Sequence, residues 1–153
     1  MTLQPGAVLR QRILVVEDEP VLRRLNTEVL VYSGYQVDAA EDGRAAWDAL
    51  QVNAYDLMVT DHKMPNLSGV DLLKKARAAH LALPVIMATG SLPDWSFTAY
   101  PSLRPTAVLL KPYTFEELLN TVKDVLYAVA SNHPETAPPP NWQGQPLPNR
   151  LPL

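Results

Sequence analysis

RILVVEDE, residues 12–19, is a short run of leucine and β-branched side chains that ends in three acids. A continuous apolar run of this length is typical of a strand that is buried on both faces, as in a parallel sheet. Pro20 follows, and proline suits the first turn of a helix because its missing N–H would have no helical partner there. Apolar residues then recur at helical spacing up to Gly34, namely Val21, Leu22, Leu25, Val29 and Leu30. The stretch therefore predicts a strand followed by a helix.

The same alternation continues along the chain. Further strands are predicted at residues 35–40, 55–60, 84–89 and 107–110, and further helices at residues 43–51 and 68–79. Thr114 and Glu117 form a capping box that opens a last helix. Its apolar stripe consists of Leu118, Leu119, Val122, Val125, Leu126 and Val129. Five strands that alternate with helices predict an α/β fold with a parallel sheet, and right-handed crossovers place helices on both faces.

The segment between the fourth and fifth strands breaks the pattern. SLPDWSFTAYPSLRPT, residues 91–106, contains Pro93, Pro101 and Pro105. Proline interrupts helices, so there is room only for a short helix near residues 94–100. We therefore expect the fourth helix to be shortened or irregular.

Composition excludes several classes of protein. The 153 residues are 47% hydrophobic and carry a formal net charge of −3. Zero cysteine excludes disulfide scaffolds, thiol catalysis and cysteine-ligated metal sites. A mildly acidic chain without a basic stripe is a poor nucleic-acid binder, and no stretch approaches the length of a membrane span. We expect a cytoplasmic domain without direct DNA or membrane binding.

Polar residues stand where the predicted buried strands end. Glu17 and Asp18 follow the first strand, Asp61 follows the third, Thr89 closes the fourth, and Lys111 follows the fifth. Ligands of open α/β sheets bind at the carboxyl ends of the strands, so these residues are expected to converge. A capping role for Asp61, or a helix-dipole role for the acids, would explain single positions but not the whole set.

This set suits phosphoryl transfer onto a carboxylate. An aspartate can act as a nucleophile and become an aspartyl phosphate. Three carboxylates repel one another, so Mg²⁺ is the natural cation to neutralise them. Lys111 and Thr89 would offer positive charge and a hydrogen-bond donor to the oxygens of the transferring group.

Four motifs in order carry a resemblance to a known family. The chain resembles the receiver domain of two-component response regulators, of the kind found in chemotaxis regulators, over residues 10–131. The resemblance implies a doubly wound (βα)5 sheet in the flavodoxin-like order 2-1-3-4-5, with an N-terminal extension at 1–9 and a proline-rich tail at 132–153. The motifs are ILVVEDE (13–19), VTDHKMPNLSG (59–69), PVIMATG (84–90) and LLKPY (109–113).

The resemblance also assigns roles to the residues that react. It implies that Asp61 is the phosphoacceptor and that Thr89 and Lys111 contact phosphoryl oxygens. It further implies that Gly69 shapes the loop after the phosphorylated strand. The peptide between Lys111 and Pro112 is often cis in the family, as cis peptides are essentially confined to proline.

The metal site is implied in the same way. Asp18 would bind Mg²⁺ directly and Glu17 would hold it through water, and Asp61 and the main-chain carbonyl of Lys63 would be further ligands.

Two departures from the family pattern predict an altered readout. Val108 stands where the family usually has an aromatic residue three positions before the lysine. The glycine-rich approach to the last strand is replaced by residues 103–106, LRPT. We expect phosphorylation to be coupled differently, through Trp95, Phe97 or Tyr100 in the irregular segment.

The predicted function is a phosphoacceptor switch rather than a metabolic enzyme, with at most weak autodephosphorylation. A sensor histidine kinase or a histidine phosphotransfer protein would supply the phosphoryl group, and a second copy of the chain, paired through the fourth-helix, fifth-strand and fifth-helix face, is a further candidate partner. One alternative is a phospho-independent adaptor, or pseudo-receiver, that docks partners through the irregular segment and the tail. Another is an aspartate-nucleophile phosphatase, whose usual D-x-D motif does not follow the first strand here.

Overall fold

The structure of the protein is a computed structural model that describes residues 10–90 and 104–131. The strands are β1 (Arg12–Val16), β2 (Gln36–Ala40), β3 (Leu57–Asp61), β4 (Val85–Thr89) and β5 (Ala107–Leu110). The helices are α1 (Pro20–Tyr32), α2 (Gly43–Val52), α3 (Gly69–Ala78) and α4 (Phe115–Ser131). The predicted short helix near residues 94–100, the N-terminal extension and the proline-rich tail lie outside the described residues.

All five strands join one parallel sheet in the order β2-β1-β3-β4-β5. The predicted α/β fold and strand order are thereby confirmed. Strands β3 and β4 are buried along their whole length, as expected for the interior of a sheet that is covered on both faces.

The core has two layers, one on each face of the sheet. Side chains from α1 and α4 pack with one set of strand residues, and side chains from α2 and α3 pack with the alternate set. Successive residues of a strand point to opposite faces, so neighbours such as Leu14 and Val15 belong to different layers. The doubly wound arrangement follows from this alternation.

Two helices bury a narrower stripe than their sequences predicted. In α1, Leu30 and Asn26 are buried, whereas Val21 is 63% exposed and Leu25 is 37% exposed. In α4 the buried stripe ends at Leu126, and Val129 is 52% exposed. No residue of α4 after Leu126 is fully buried, so the last turn of the helix adds little to the core. Among the described residues, no helix combines the length and the apolar character needed to cross a membrane.

Local sequence sets the helix boundaries. The predicted capping box is present, because Thr114 N–H donates to Glu117 Oε1 at 2.8 Å and Glu117 N–H donates to Thr114 Oγ1 at 3.0 Å. Ser68 caps α3 by accepting from Asp71 N–H. Gly34 has a φ of 104°, a left-handed conformation that ends α1 and that glycine adopts without strain.

A polar cluster joins Asp38, midway along β2, to residues at the amino ends of β1 and β3. Asp38 Oδ2 accepts hydrogen bonds from Tyr55 Oη at 2.6 Å and from Arg12 Nη2 at 2.7 Å. The Arg12 guanidinium also lies over the Tyr55 ring, 5.1 Å from its centroid. The Tyr55 hydrogen bond is the main cause of the lowered pKa of Asp38, and the neighbouring Arg12 lowers it further. This cluster ties β1, β2 and the start of β3 together.

We predict that Tyr55→Phe lowers the free energy of unfolding by about 1 kcal/mol at neutral pH. The pKa of Asp38 is lowered from 3.8, so its bonded carboxylate stabilises the fold above that value and ceases to do so as the pH falls through the folded pKa. The difference between the two proteins should therefore shrink on acidification. Urea unfolding at about pH 7 and about pH 3 measures it. Tyr127→Phe, at an exposed tyrosine, is the control, and a difference that does not change with pH would contradict the prediction.

Candidate functional site

The strand register brings the predicted site residues to one edge of the sheet. Val16 pairs with Thr60, so Glu17 and Asp61 follow side by side. Asp61 in turn pairs with Ala88, which places Thr89 one residue beyond it. Thr89 pairs with Leu110, and Lys111 comes next. The four strands therefore present their polar ends as neighbours, as predicted from the sequence.

Three carboxylates converge at this edge. Glu17, Asp18 and Asp61 each offer an oxygen, and these oxygens all lie within 4.8 Å of one another. Glu17 is 3% exposed and Asp61 is 8% exposed, whereas Asp18 is open to solvent. The pKa of Glu17 is raised, first because the side chain is buried and then because the charge of Asp61 is close. Burial and a neighbouring negative charge thus both disfavour the ionised form of Glu17.

Lys111 supplies the positive charge on the opposite side of the site. Its Nζ lies 2.9 Å from Asp61 Oδ1 and 3.6 Å from Glu17 Oε1. Burial alone would lower the pKa of Lys111, but the hydrogen bond and charge of Asp61, together with the charge of Glu17, raise it. The backbone is fixed as well, because Lys111 N–H donates to the carbonyl of Thr89 at 2.7 Å. The side chain is therefore a cation held against the predicted nucleophile.

The carboxylate of Asp61 is also oriented by its own backbone. His62 N–H donates to Asp61 Oδ1 at 3.0 Å and to the Ala88 carbonyl at 2.9 Å. At Gly69, an added Cβ would overlap the carbonyl oxygen of Asp61 and lie 2.8 Å from Met87 Sδ. The predicted role of Gly69 is supported, since only a residue without a side chain lets α3 begin this close to the end of β3.

The loop between β3 and α3 is hydrogen-bonded to the start of α2. This contact was not predicted from the sequence. Asn66 has a φ of 69°, and its Nδ2 donates to Asp42 Oδ2 at 2.8 Å. Asp42 also caps α2 by accepting from Ala45 N–H at 2.8 Å. An added Cβ at Gly43 would overlap the carbonyl of Leu67. These contacts fix the loop that contains Lys63, whose carbonyl as a metal ligand stays a prediction.

Helix α1 contributes two further contacts that were not predicted. Arg23 Nη1 donates to the carbonyl of Glu17 at 2.9 Å. Asn26 is buried, and its Nδ2 donates to Tyr113 Oη at 2.7 Å. The sequence does hold one signal, because Asn26 interrupts the apolar spacing between Leu22 and Leu30.

Of the expectations that concern the last strand and the segment before it, the cis peptide is confirmed, and the altered readout falls on residues that the structure does not describe. Val108, which stands in place of the usual aromatic residue, is buried in β5, and the Lys111–Pro112 peptide is cis. Trp95, Phe97 and Tyr100, through which we expected an altered readout, lie outside the described residues.

Comparison with known proteins agrees with this geometry. Residues 13–123 match the family model described as the response regulator receiver domain. The chain belongs to this family. It is 30% identical over 118 residues to the response regulator receiver protein CpdR of Brucella abortus, covering 77% of the chain and 98% of CpdR. This receiver domain is thus of the class used in two-component signal transduction.

Other relatives show how the domain occurs elsewhere. The chain is 36% identical over 110 residues to the sensor histidine kinase RcsC of Salmonella typhi, covering 72% of the chain but only 12% of that protein. A solved relative is the response regulator protein TrrA of Thermotoga maritima in complex with Mg²⁺-BeF. TrrA superposes with a TM-score of 0.64 at 32% identity, covering 75% of this chain and 98% of TrrA.

The donor set fits a magnesium ion. Mg²⁺ prefers a few carboxylate oxygens together with water, and the cluster of Glu17, Asp18 and Asp61 offers such oxygens. Receiver domains bind Mg²⁺ at an acidic pocket of this kind. The raised pKa of Glu17, caused by burial and by Asp61, marks a site where a cation would relieve repulsion.

We predict that Mg²⁺ stabilises this receiver domain and that Asp18→Asn removes most of the effect. At a Mg²⁺ concentration about ten times its Kd, a ligand that binds only the folded state adds about 1.4 kcal/mol. Thermal unfolding with and without Mg²⁺ measures this. Asp48→Asn, at an exposed aspartate of α2, should keep the full effect. Full stabilisation of Asp18→Asn by Mg²⁺ would contradict the assignment.

We also predict that Gly69→Ala destabilises the domain by about 2 kcal/mol, because the methyl group would overlap the Asp61 carbonyl. Gly90→Ala is the matched control, since no atom of the described residues lies within 4 Å of a Cβ added there. Urea unfolding of both variants gives the comparison. Equal stability of the two variants would contradict the prediction, because the end of β3 would then move to accommodate the added methyl group.

Proposed function

We propose that Asp61 of this receiver domain accepts a phosphoryl group from a phosphohistidine. The observation that carries the proposal is the Asp61 carboxylate, nearly buried at the end of β3 with the Lys111 ammonium 2.9 Å from its Oδ1. A carboxylate can act as the nucleophile in phosphoryl transfer, and the ammonium beside it would balance negative charge that develops there.

The transfer is a displacement at phosphorus. A carboxylate oxygen of Asp61 forms a bond to phosphorus as the bond between phosphorus and the histidine nitrogen breaks. The electron pair of the broken bond returns to the imidazole, and the product is an aspartyl phosphate. Hydrolysis later replaces the aspartyl oxygen on phosphorus with water and restores the carboxylate.

Lys111 and Thr89 are placed to receive the phosphoryl oxygens. The ammonium that bonds to Asp61 in the unmodified protein would turn to a phosphoryl oxygen once the carboxylate is phosphorylated. Thr89 is buried at the end of β4, one residue beyond the strand partner of Asp61. Donors fixed before the reaction stabilise developing charge without the cost of reorganising solvent.

Asp18, Asp61 and the carbonyl of Lys63 would hold Mg²⁺, with Glu17 binding through water. When bound, the ion neutralises negative charge on the oxygens of the transferring group. Two observations on this chain support the proposal. One oxygen of each of the three carboxylates lies within 4.8 Å of the others, and the loop that contains Lys63 is held by the hydrogen bond from Asn66 to Asp42.

In this proposal the domain is a switch in the cytoplasm and not a metabolic enzyme. A sensor histidine kinase or a histidine phosphotransfer protein donates the phosphoryl group, and the modified domain changes its contacts with another protein. The family membership supports the donor class, since receiver domains accept phosphoryl groups from histidine kinases. A homodimer through the face that includes β5 and α4 is a further part of the proposal.

We predict that acetyl phosphate with Mg²⁺ adds one phosphoryl group to the wild-type protein and none to Asp61→Asn. The change keeps the size of the side chain but removes the nucleophilic oxygen. Intact-protein mass spectrometry detects the adduct, and hydroxylamine should remove it because acyl phosphates react with that nucleophile.

Asp48→Asn serves as the matched control and should be modified like the wild type. Absence of any adduct on folded wild-type protein would overturn the proposal in favour of a phospho-independent adaptor. Rapid turnover of an external phosphoester would instead indicate a phosphatase.

A further inference from the structure

Asn26 is a buried polar residue on the core-facing side of α1. It is 2% exposed, and its Nδ2 donates to the hydroxyl oxygen of Tyr113 at 2.7 Å. Within the described part of the chain, its Oδ1 is buried without a hydrogen-bond partner. The bond joins residues 87 positions apart, so it links α1 directly to the segment that follows β5.

Packing alone gives no reason for this pair. A buried amide with an unpaired oxygen destabilises a fold, whereas replacing both partners of a buried hydrogen bond by apolar groups of similar shape is often neutral or stabilising. The surrounding layer is apolar, and Tyr113 already packs its ring against it. Leucine and phenylalanine would suit these two positions for stability, so the polar pair points to another role.

The pair lies next to the reacting groups. Tyr113 is two residues after Lys111, whose Nζ bonds to Asp61. The same helix also contacts the acidic segment of the site, because Arg23, one turn before Asn26, donates to the carbonyl of Glu17 at 2.9 Å. Helix α1 therefore forms a hydrogen bond with the acidic segment after β1 and another with the segment after β5 that contains Lys111.

We propose that Asn26 and Tyr113 are positioning residues, which hold the Lys111–Tyr113 segment so that the Lys111 ammonium is aimed at Asp61. The role rests on the proposed function, in which that ammonium turns to the phosphoryl oxygen. Neither residue touches the reacting atoms; both act through Lys111.

The flexibility of lysine explains why the Asn26–Tyr113 hydrogen bond would matter for the direction of the Lys111 ammonium. The lysine side chain has four rotatable bonds, so the direction of its ammonium depends on how firmly its backbone is held. The Lys111 N–H bond to the Thr89 carbonyl at 2.7 Å fixes the segment on the side of β4. The Asn26–Tyr113 bond fixes it on the side of α1. Small displacements of an oriented group lower reaction rates steeply.

The test compares Tyr113→Phe, Asn26→Leu and the double variant with the wild type. The first measurement is the rate constant for phosphorylation by acetyl phosphate with Mg²⁺. We expect roughly a tenfold loss in each single variant. The double variant should lose no more than either single variant, because all three remove the same bond. Tyr55→Phe removes the same atom from a tyrosine at the other end of the sheet and should keep the wild-type rate.

The second measurement is amide hydrogen exchange in the metal-free protein, which does not depend on activity. The Lys111 amide should exchange roughly tenfold faster in Tyr113→Phe than in the wild type. The Glu17 amide, which bonds to the Ala40 carbonyl at 3.1 Å, should not change. A local effect of this kind separates positioning from a general loss of stability.

The outcomes are distinct. Unchanged exchange at Lys111 in Tyr113→Phe overturns the proposal whatever the rate, and faster exchange with a wild-type rate overturns it too. An equal loss of rate in Tyr55→Phe also overturns it, because the effect would then not be specific to the Lys111 segment. If the wild type takes up no phosphoryl group, the proposed function fails by itself, and the exchange result alone decides whether the segment is held by this bond.

Discussion

The ion pair between Lys111 Nζ and Asp61 Oδ1, at 2.9 Å, is the interaction on which the site depends. Three carboxylates close together at a mostly buried edge of a sheet repel one another, and their repulsion is weakly screened there. The ammonium offsets part of this repulsion and fixes the direction of the Asp61 carboxylate. Burial and the charge of Asp61 raise the pKa of Glu17, and the charge of Lys111 opposes that rise.

The rest of the fold serves to bring these charges together. Strands that are apolar on both faces can be buried in the middle of a sheet only if their polar residues lie at the ends. Parallel register then places those ends at one edge, where Glu17, Asp61 and Lys111 become neighbours. The loops are fixed by contacts across the chain, such as the bond from Asn66 to Asp42 and the close approach at Gly69. Chemistry and core packing thus use separate residues.

The strands and the polar side chains at their ends were predictable because their signals are local. A β-branched run that ends in an acid, such as RILVVE, carries both kinds of information within a few residues. The face of α1 was predicted less well, since Val21 and Leu25 are as apolar as Leu30 but are exposed. The hydrogen bonds from Asn66 to Asp42 and from Asn26 to Tyr113 join residues 24 and 87 positions apart. Such pairs follow no periodicity, so only the folded chain reveals them.

The strand order leaves β2 and β5 at the two edges of the described sheet, and each limits strand addition in its own way. β2 carries Asp38 in mid-strand, and a charged residue on an edge strand discourages another chain from pairing there. β5 has no charge within it, but it has only four residues, and very short edge strands offer few sites for pairing. The Asp38 carboxylate, which binds Arg12 and Tyr55 within the domain, therefore also disfavours edge-to-edge pairing of another chain with β2.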